Sequence, residues 1–247
     1  SLGVYVPGAY LSARANVGGE TYTCSINPDG SIGGYTAATA PVVMPIDTVG
    51  FGAQEAPSSY SAEGVVPYTP AGLVYVRAGC RGRASGTSGD GSHYDGGVPW
   101  GVTDLKAAVR CLRYNASALP GRLSNIFTFG HSGGGAQSSL MGATGDSALY
   151  APYLSSIGAV FTDDSGSAIS DAIAGSMCWC PITSLNEANA AYEWNMGQFS
   201  SEGARAPGTW TEAYSKDLAA AYAGHVNAMG LTDAAGTALS LEASGTG

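Results

Sequence analysis

The apolar residues of this chain fall into short runs separated by Gly, Pro and polar clusters, and the spacing within each run indicates an element. Gly3 to Pro7, Pro41 to Ile46, Ala71 to Ala78 and Asn125 to Gly130 are apolar runs of strand type, each ending at or near Gly or Pro. Gly175 to Cys180 makes a fifth. Between the third and fourth, Val102, Leu105, Val109 and Leu112 recur at intervals of three and four, which puts them on one helical face. Thr103 and Asp104 stand near the start of that helix, and Pro120-Gly121 follows its end. Gly133 to Gly145, with Ala136, Leu140 and Met141, reads as a second helix. Apolar strands alternating with helices predict an α/β protein with a mostly parallel sheet and helices on both faces.

The segment from Arg81 to Gly101 is rich in Gly, Ser and Asp and reads as a long surface loop. Beyond Cys180 the pattern changes: residues 182 to 230 read as largely helical, with Leu185 to Met196 and Tyr214 to Met229 as the clearest stretches. Ala238 to Leu241 reads as a short further strand, and no internal repeat is visible.

Composition narrows the class. The 37 glycines and 12 prolines make about a fifth of the 247 residues, below the roughly 25–30% of low-complexity chains. The longest apolar runs, such as Leu73 to Val76, fall far short of the ~20 residues of a membrane span. Nineteen acidic against ten basic residues give a net charge of −9 and no basic patch for phosphates, so nucleic acid is not an expected partner. The five cysteines, Cys24, Cys80, Cys111, Cys178 and Cys180, are too sparse for a disulfide scaffold and form no C-x-x-C knuckle, so no metal site is expected. Cys178 and Cys180 read as small core residues on one side of a strand. The first residues lack the charged and apolar regions of a secretory leader. The compartment is left open, with a secreted or cell-envelope setting favoured over the cytoplasm.

Gly130-His131-Ser132-Gly133-Gly134 carries the strongest chemical signal. This G-x-S-x-G follows the strand Ile126 to Phe129 directly and opens a helix, the setting of a nucleophile elbow. Glycine is favoured around the serine because larger side chains would clash, and a helix N-terminus favours a developing oxyanion. Ser132 is the candidate nucleophile, and the NH of Gly133 a candidate oxyanion donor. A dinucleotide-binding turn would need glycine where Ser132 stands, and a P-loop would need a following Lys-Ser or Lys-Thr. The loop Thr48 to Gly52 reads either as a surface turn or as the second oxyanion loop, with Gly50 as its donor.

A serine nucleophile needs a base, and in this architecture the order is Ser, then Asp or Glu, then His. His93 precedes Ser132, and His131 is the variable residue of the elbow. His225 has the right order but lies inside a helical pattern and reads as a helix-surface residue. Asp163, Asp164, Asp171 and Asp217 lack a strand-end setting. The triad acid and base are therefore expected outside this chain, which reads as the first part of a larger enzyme, incomplete or cleaved within an insertion.

These residues resemble the bacterial tannases, α/β-hydrolase esterases that cleave galloyl esters. The resemblance runs through Ala40-Pro41 to Gly50, Gly79-Cys80-Arg81-Gly82-Arg83, Asp104 to Ala108 with Arg110 and Tyr114-Asn115, the elbow, Gly142 to Gly145, Cys180-Pro181-Ile182 and Ala191 to Trp194. It implies an α/β-hydrolase core over residues 1–195 and the start of an inserted helical lid over 196–247. It further implies that Ser132 is the nucleophile, that the Gly50 loop holds the oxyanion, and that a second chain or fragment supplies the triad Asp and His. A phenolic ester is the implied substrate, without cofactor. A feruloyl or chlorogenate esterase, or an inactive binding domain that keeps the elbow, are the alternatives. His131 and Gly133 depart from the Thr and Ala expected around the serine, which bears on substrate identity. Tyr192, Glu193 and Trp194 either border the acyl pocket or pack the lid on the core, with Glu193 and Trp194 the candidate substrate contacts. Arg81 and Arg83 either clamp a carboxylate of the substrate or tie loops to carboxylates of their own chain.

Overall fold

A computed structural model of the chain describes all residues except 20, 62, 63, 88, 90, 93, 184, 198–205 and 244–247. The chain forms two units, Ser1–Ile182 and Thr183–Gly247. In the first, the strands are β1 (Leu2–Tyr5), β2 (Leu11–Ala15), β3 (Tyr22–Ile26), β4 (Ser31–Ile32), β5 (Tyr35–Thr36), β6 (Val42–Ile46), β7 (Val74–Ala78), β8 (Ile126–His131) and β9 (Gly175–Trp179). Helices α1 (Trp100–Tyr114), α2 (Gly133–Ala143) and α3 (Ala151–Ser156) complete the unit. All five expected strands join one sheet, ordered β1-β7-β6-β8-β9. β6, β7, β8 and β9 run parallel, and β1 pairs antiparallel on β7. This is a mixed α/β fold with a mostly parallel central sheet.

Side chains alternate along a strand, so each run offers one row to the core. Val42, Met44 and Ile46 of β6, Val74 and Val76 of β7 and Ile126 of β8 are buried with Val102, Leu105, Val109 and Leu112 of α1 and Met141 of α2. The periodic face read from the sequence is therefore the buried face of α1. The other row is treated differently along the sheet. Tyr68 stacks on Tyr75, ring centroids 5.3 Å apart, and reaches Phe129 at 5.9 Å. Over β8 and β9, by contrast, Phe127, Met177 and Trp179 are 37%, 55% and 50% exposed. Among the described residues of this unit, the helical layer expected on both faces is present on one, where α1 and α2 share the buried core.

A buried ion cluster fastens α1 to the segment before β9. The Lys106 ammonium, fully buried, donates to Asp171 Oδ1 at 2.8 Å, and Arg110 donates to Asp171 Oδ2 at 2.8 Å through Nε. Burial pushes the Asp171 carboxyl up, but bonds from Lys106, the Asp146 NH and Arg110 outweigh it and hold the group below its ordinary value.

The second unit contains α4 (Leu185–Met196) and α5 (Trp210–Ala228), which pack on each other. The division thus falls ahead of the boundary expected at 195, because α4 belongs with α5. Ala238 to Leu241 forms no strand and contributes a single bridge, Thr232 to Ala238. That bridge closes a turn with a twin in the first unit. Thr162-Asp163 with Gly166-Ser167-Ala168, and Thr232-Asp233 with Gly236-Thr237-Ala238, share one pattern. In each, the Asp NH donates to the residue four on at 2.9 Å, and the Asp carboxylate accepts two backbone NH groups in return. A short repeat is present after all; it is too polar to register as an apolar run.

All five cysteines are free. Cys80 is buried, but Cys178 is only half-buried, and Cys180 is exposed with a φ of 45°. The core reading therefore fails for Cys180, because the chain leaves the strand at Trp179. Among the described residues no helix is long and apolar enough to cross a membrane.

Candidate active site

Ser132 occupies the turn between β8 and α2 at φ 57° and ψ −119°, a conformation that non-glycine residues rarely adopt and that persists only when the surroundings enforce it. The enforcement comes from close backbone approaches on both sides of the serine. A Cβ on Gly130 would stand 2.4 Å from the carbonyl carbon of Gly134, and one on Gly134 would stand 1.9 Å from the carbonyl oxygen of Ile46. Space, rather than flexibility, fixes both glycines of the motif. The Ser132 NH donates to the Trp179 carbonyl at 2.9 Å, and the Ser132 carbonyl accepts the first helical bond of α2 from Ala136 at 3.0 Å. The serine backbone is thus held between β9 and α2, and its half-buried hydroxyl has no hydrogen-bond partner among the described residues.

The loop after β6 lies against the residue that follows the serine. A Cβ on Gly133 would meet the Thr48 carbonyl oxygen at 2.5 Å and the Phe51 nitrogen at 2.6 Å. Residues Val49–Phe51 form a short 3-10 turn in which Gly50 takes φ 59° and ψ 26°. The NH groups of Gly50 and Gly133 donate to no described residue. Ser132, Gly133 and Gly50, chosen on sequence grounds, are therefore brought together.

Two buried amides hold that loop, and the sequence reading missed both. The Thr48 hydroxyl donates to Gln137 Oε1 at 2.7 Å, linking the loop to α2. Gln54 accepts from the Asp47 NH at 2.7 Å and donates to the Ala78 carbonyl at 2.7 Å, linking it to the end of β7. A glutamine among the Gly, Ala and Ser residues that open α2 was the available signal for Gln137.

Arg81 ties loops to its own chain. It donates to Asp104 Oδ2 at 2.9 Å and Oδ1 at 2.7 Å, pairs with Asp95, and lies 4.3 Å over the Trp100 ring. The cavity beside it, about 770 Å³, is lined by Ser1, Gly79, Cys80, Asp104, Cys111 and Val160 and includes neither Ser132 nor Gly50.

His131 is exposed at the end of β8, His225 is exposed on α5, and His93 lies outside the described residues. Asp171 is committed to its ion cluster, and Asp217 is exposed on α5. Glu193 and Trp194 are engaged within the second unit. Ser215 Oγ donates to Glu193 Oε2 at 2.5 Å, and Trp194 Nε1 donates to the Glu242 carbonyl at 2.8 Å with its ring 5.9 Å from Tyr222.

No protein-family model and no curated sequence matches this chain. Solved structures do. The native tannin acyl hydrolase from Lactobacillus plantarum is 32% identical over 100% of this chain and 51% of its own, with a TM-score of 0.68. A tannin acyl hydrolase in complex with ethyl gallate is 33% identical over 99% of this chain and 50% of its own, at 0.69. Fusobacterium nucleatum tannase is 29% identical over 100% and 56%, at 0.64. This chain spans about half the length of the proteins it matches. It is tannase-like, similar in sequence and fold to tannin acyl hydrolases along its whole length.

Proposed function

We propose that this chain is the nucleophile-bearing part of a serine carboxylic-ester hydrolase of the α/β-hydrolase fold, acting on galloyl-type phenolic esters through an acyl-enzyme and without a cofactor. The observation that carries the reading is the enforced backbone of Ser132 on a strand-to-helix turn, with Gly133 and the Gly50 loop packed beside it. Similar proteins are described with ethyl gallate and with 3,4-dihydroxybenzoate, which supports a phenolic acyl group. Ser132 Oγ attacks the ester carbonyl while a histidine takes its proton, and the NH groups of Gly133 and Gly50 donate to the oxyanion. Collapse expels the alcohol, which recovers the proton. Water then attacks the acyl-enzyme by the same route and releases the phenolic acid.

The acid and base of the triad come from polypeptide outside residues 1–247. The length of the matched proteins and the exposed row Phe127, Met177 and Trp179 support a further half that completes the sheet. The second unit, Thr183–Gly247, begins a helical lid. The test is fluorophosphonate labelling and methyl gallate turnover in the complete protein. Labelling at Ser132, with both signals abolished by Ser132→Ala, is expected. Labelling elsewhere with Ser132 untouched refutes the reading, and turnover of methyl ferulate or a butyrate ester as fast as methyl gallate refutes the galloyl preference.

A further inference from the structure

The two arginines after β7 have different fates. Arg81 spends its fork on Asp104 and Asp95. Arg83 is held by its backbone: its NH donates to the Phe51 carbonyl at 2.8 Å, and its carbonyl accepts from the Tyr94 hydroxyl at 2.7 Å. Its side chain is exposed, and its guanidinium donates to no described residue. It lies beside the Gly50 loop, with Nη2 3.8 Å and Cζ 3.9 Å from where a Cβ on Gly50 would stand. Because Phe51 in turn packs on Gly133, Arg83, the Gly50 loop and the nucleophile turn are successive neighbours.

We propose that Arg83 is a specificity-determining residue that receives a carboxylate beside the scissile ester. The proposal rests on the esterase reading above. A guanidinium stays protonated at any working pH and offers a planar fork of donors matched to a carboxylate. The chain carries a net charge of −9, so its overall field repels anionic substrates and a local cation beside the site offsets that repulsion. Asp104 and Asp95 hold the neighbouring arginine, which leaves Arg83 as the cation available at this edge of the loop among the described residues. Two sources of carboxylate fit: an acidic group on the alcohol portion of the substrate, and the acid product itself.

The experiment compares, in the complete enzyme, the phenyl and 3-carboxyphenyl esters of one phenolic acid, together with inhibition by the free acid. For Arg83→Gln, the ratio of kcat/KM for the carboxylated ester to that for the neutral one is expected to fall at least about tenfold, through KM, as befits a lost charged hydrogen bond. Arg83→Lys, which keeps charge without the fork, should recover part of the ratio. A changed ratio identifies the alcohol-side carboxylate. An unchanged ratio with a product-acid Ki raised about tenfold identifies the product. If neither moves, the proposal is wrong. Circular dichroism confirms folding, because the Arg83 contacts to Phe51 and Tyr94 are made by the backbone. A wild-type enzyme that cleaves neither ester overturns the esterase reading, whereas an active wild type with an indifferent Arg83→Gln overturns only the role of Arg83.

Discussion

Thr48 and Gln137, 89 residues apart in sequence, are joined by a buried 2.7 Å hydrogen bond from the Thr48 hydroxyl to Gln137 Oε1. One end fixes the loop that carries Gly50, and the other sits on the helix that begins just after Ser132, the proposed nucleophile. The bond therefore sets the spacing between the two proposed oxyanion donors. Gln137→Leu should leave the Thr48 hydroxyl buried and unpaired, costing about 1–3 kcal/mol of stability. Loss of one aligned oxyanion donor costs roughly 10²–10³ in kcat, so a fall of about tenfold or more is expected with KM little changed. A variant with wild-type kcat would show that the loop is held by Gln54 alone.

Gly134 tests whether space or flexibility governs the elbow. Alanine there would place its Cβ 1.9 Å from the Ile46 carbonyl oxygen, an approach that backbone on both sides cannot relieve. Gly134→Ala is expected to lower stability by several kcal/mol, in the upper range for single substitutions, and to abolish fluorophosphonate labelling. Gly224→Ala, where an added Cβ meets nothing within 4 Å on the exposed face of α5, should instead be neutral or stabilising by up to about 1 kcal/mol. Equal melting temperatures for the two variants would contradict the steric account.

The strands and α1 were legible because burial imposes simple patterns on them: β6 is apolar throughout, β7 is apolar apart from Arg77, and one face of α1 repeats at three and four. β2 and β3 were missed because Leu11–Ala15 and Tyr22–Ile26 are short, contain no apolar run, lie mostly exposed, and pair with each other outside the central sheet. The glycine turn around Ser132 was legible because its G-x-S-x-G spacing follows an apolar strand directly, a local pattern, although the contacts that require Gly134 come from Ile46 and Thr48 far away in the chain. Gln54, Gln137 and the freedom of Arg83 were not, since each depends on partners from distant segments. The division after Ile182 was hidden for the same reason: α4 reads like any helix until α5 is seen against it.

The Lys106, Arg110 and Asp171 cluster makes stability depend on acid. The Asp171 carboxyl sits below its ordinary value of 3.8 in the folded chain. A depressed folded value contributes stability above the unfolded value, and that contribution is lost as pH falls through the folded one. Asp171 should thus stabilise the protein fully at pH 5 to 8 and progressively less below about pH 4. Asp171→Asn leaves two buried cations facing a neutral amide and is expected to cost about 3–5 kcal/mol near neutrality. Urea unfolding of both proteins at pH 7 and pH 3 is the measurement, and the gap between them should narrow at pH 3. A gap that stays constant across this range would assign the Asp171 contribution to packing instead of charge.

The row Phe127, Met177 and Trp179 yields the last prediction. Three large apolar side chains lie on one face of adjacent parallel strands, and β9, at the sheet edge, offers unpaired backbone groups alongside them. Parallel sheets are normally covered on both faces, and an exposed apolar edge invites association. If the further half proposed above adds its strands at β9 and covers this face, residues 1–247 expressed alone should be poorly soluble, bind a hydrophobic dye and show no esterase turnover. Co-expression with the remaining polypeptide should restore solubility and activity together, and Trp179 fluorescence should shift to shorter wavelength as its ring leaves water. Replacing Met177 and Trp179 by lysine should improve the solubility of residues 1–247 alone while weakening their recovery with the remaining polypeptide, since an interface resembling a divided core tolerates buried charge poorly. A soluble, active monomer of residues 1–247 would contradict this outright and would assign the catalytic base to a histidine within the chain.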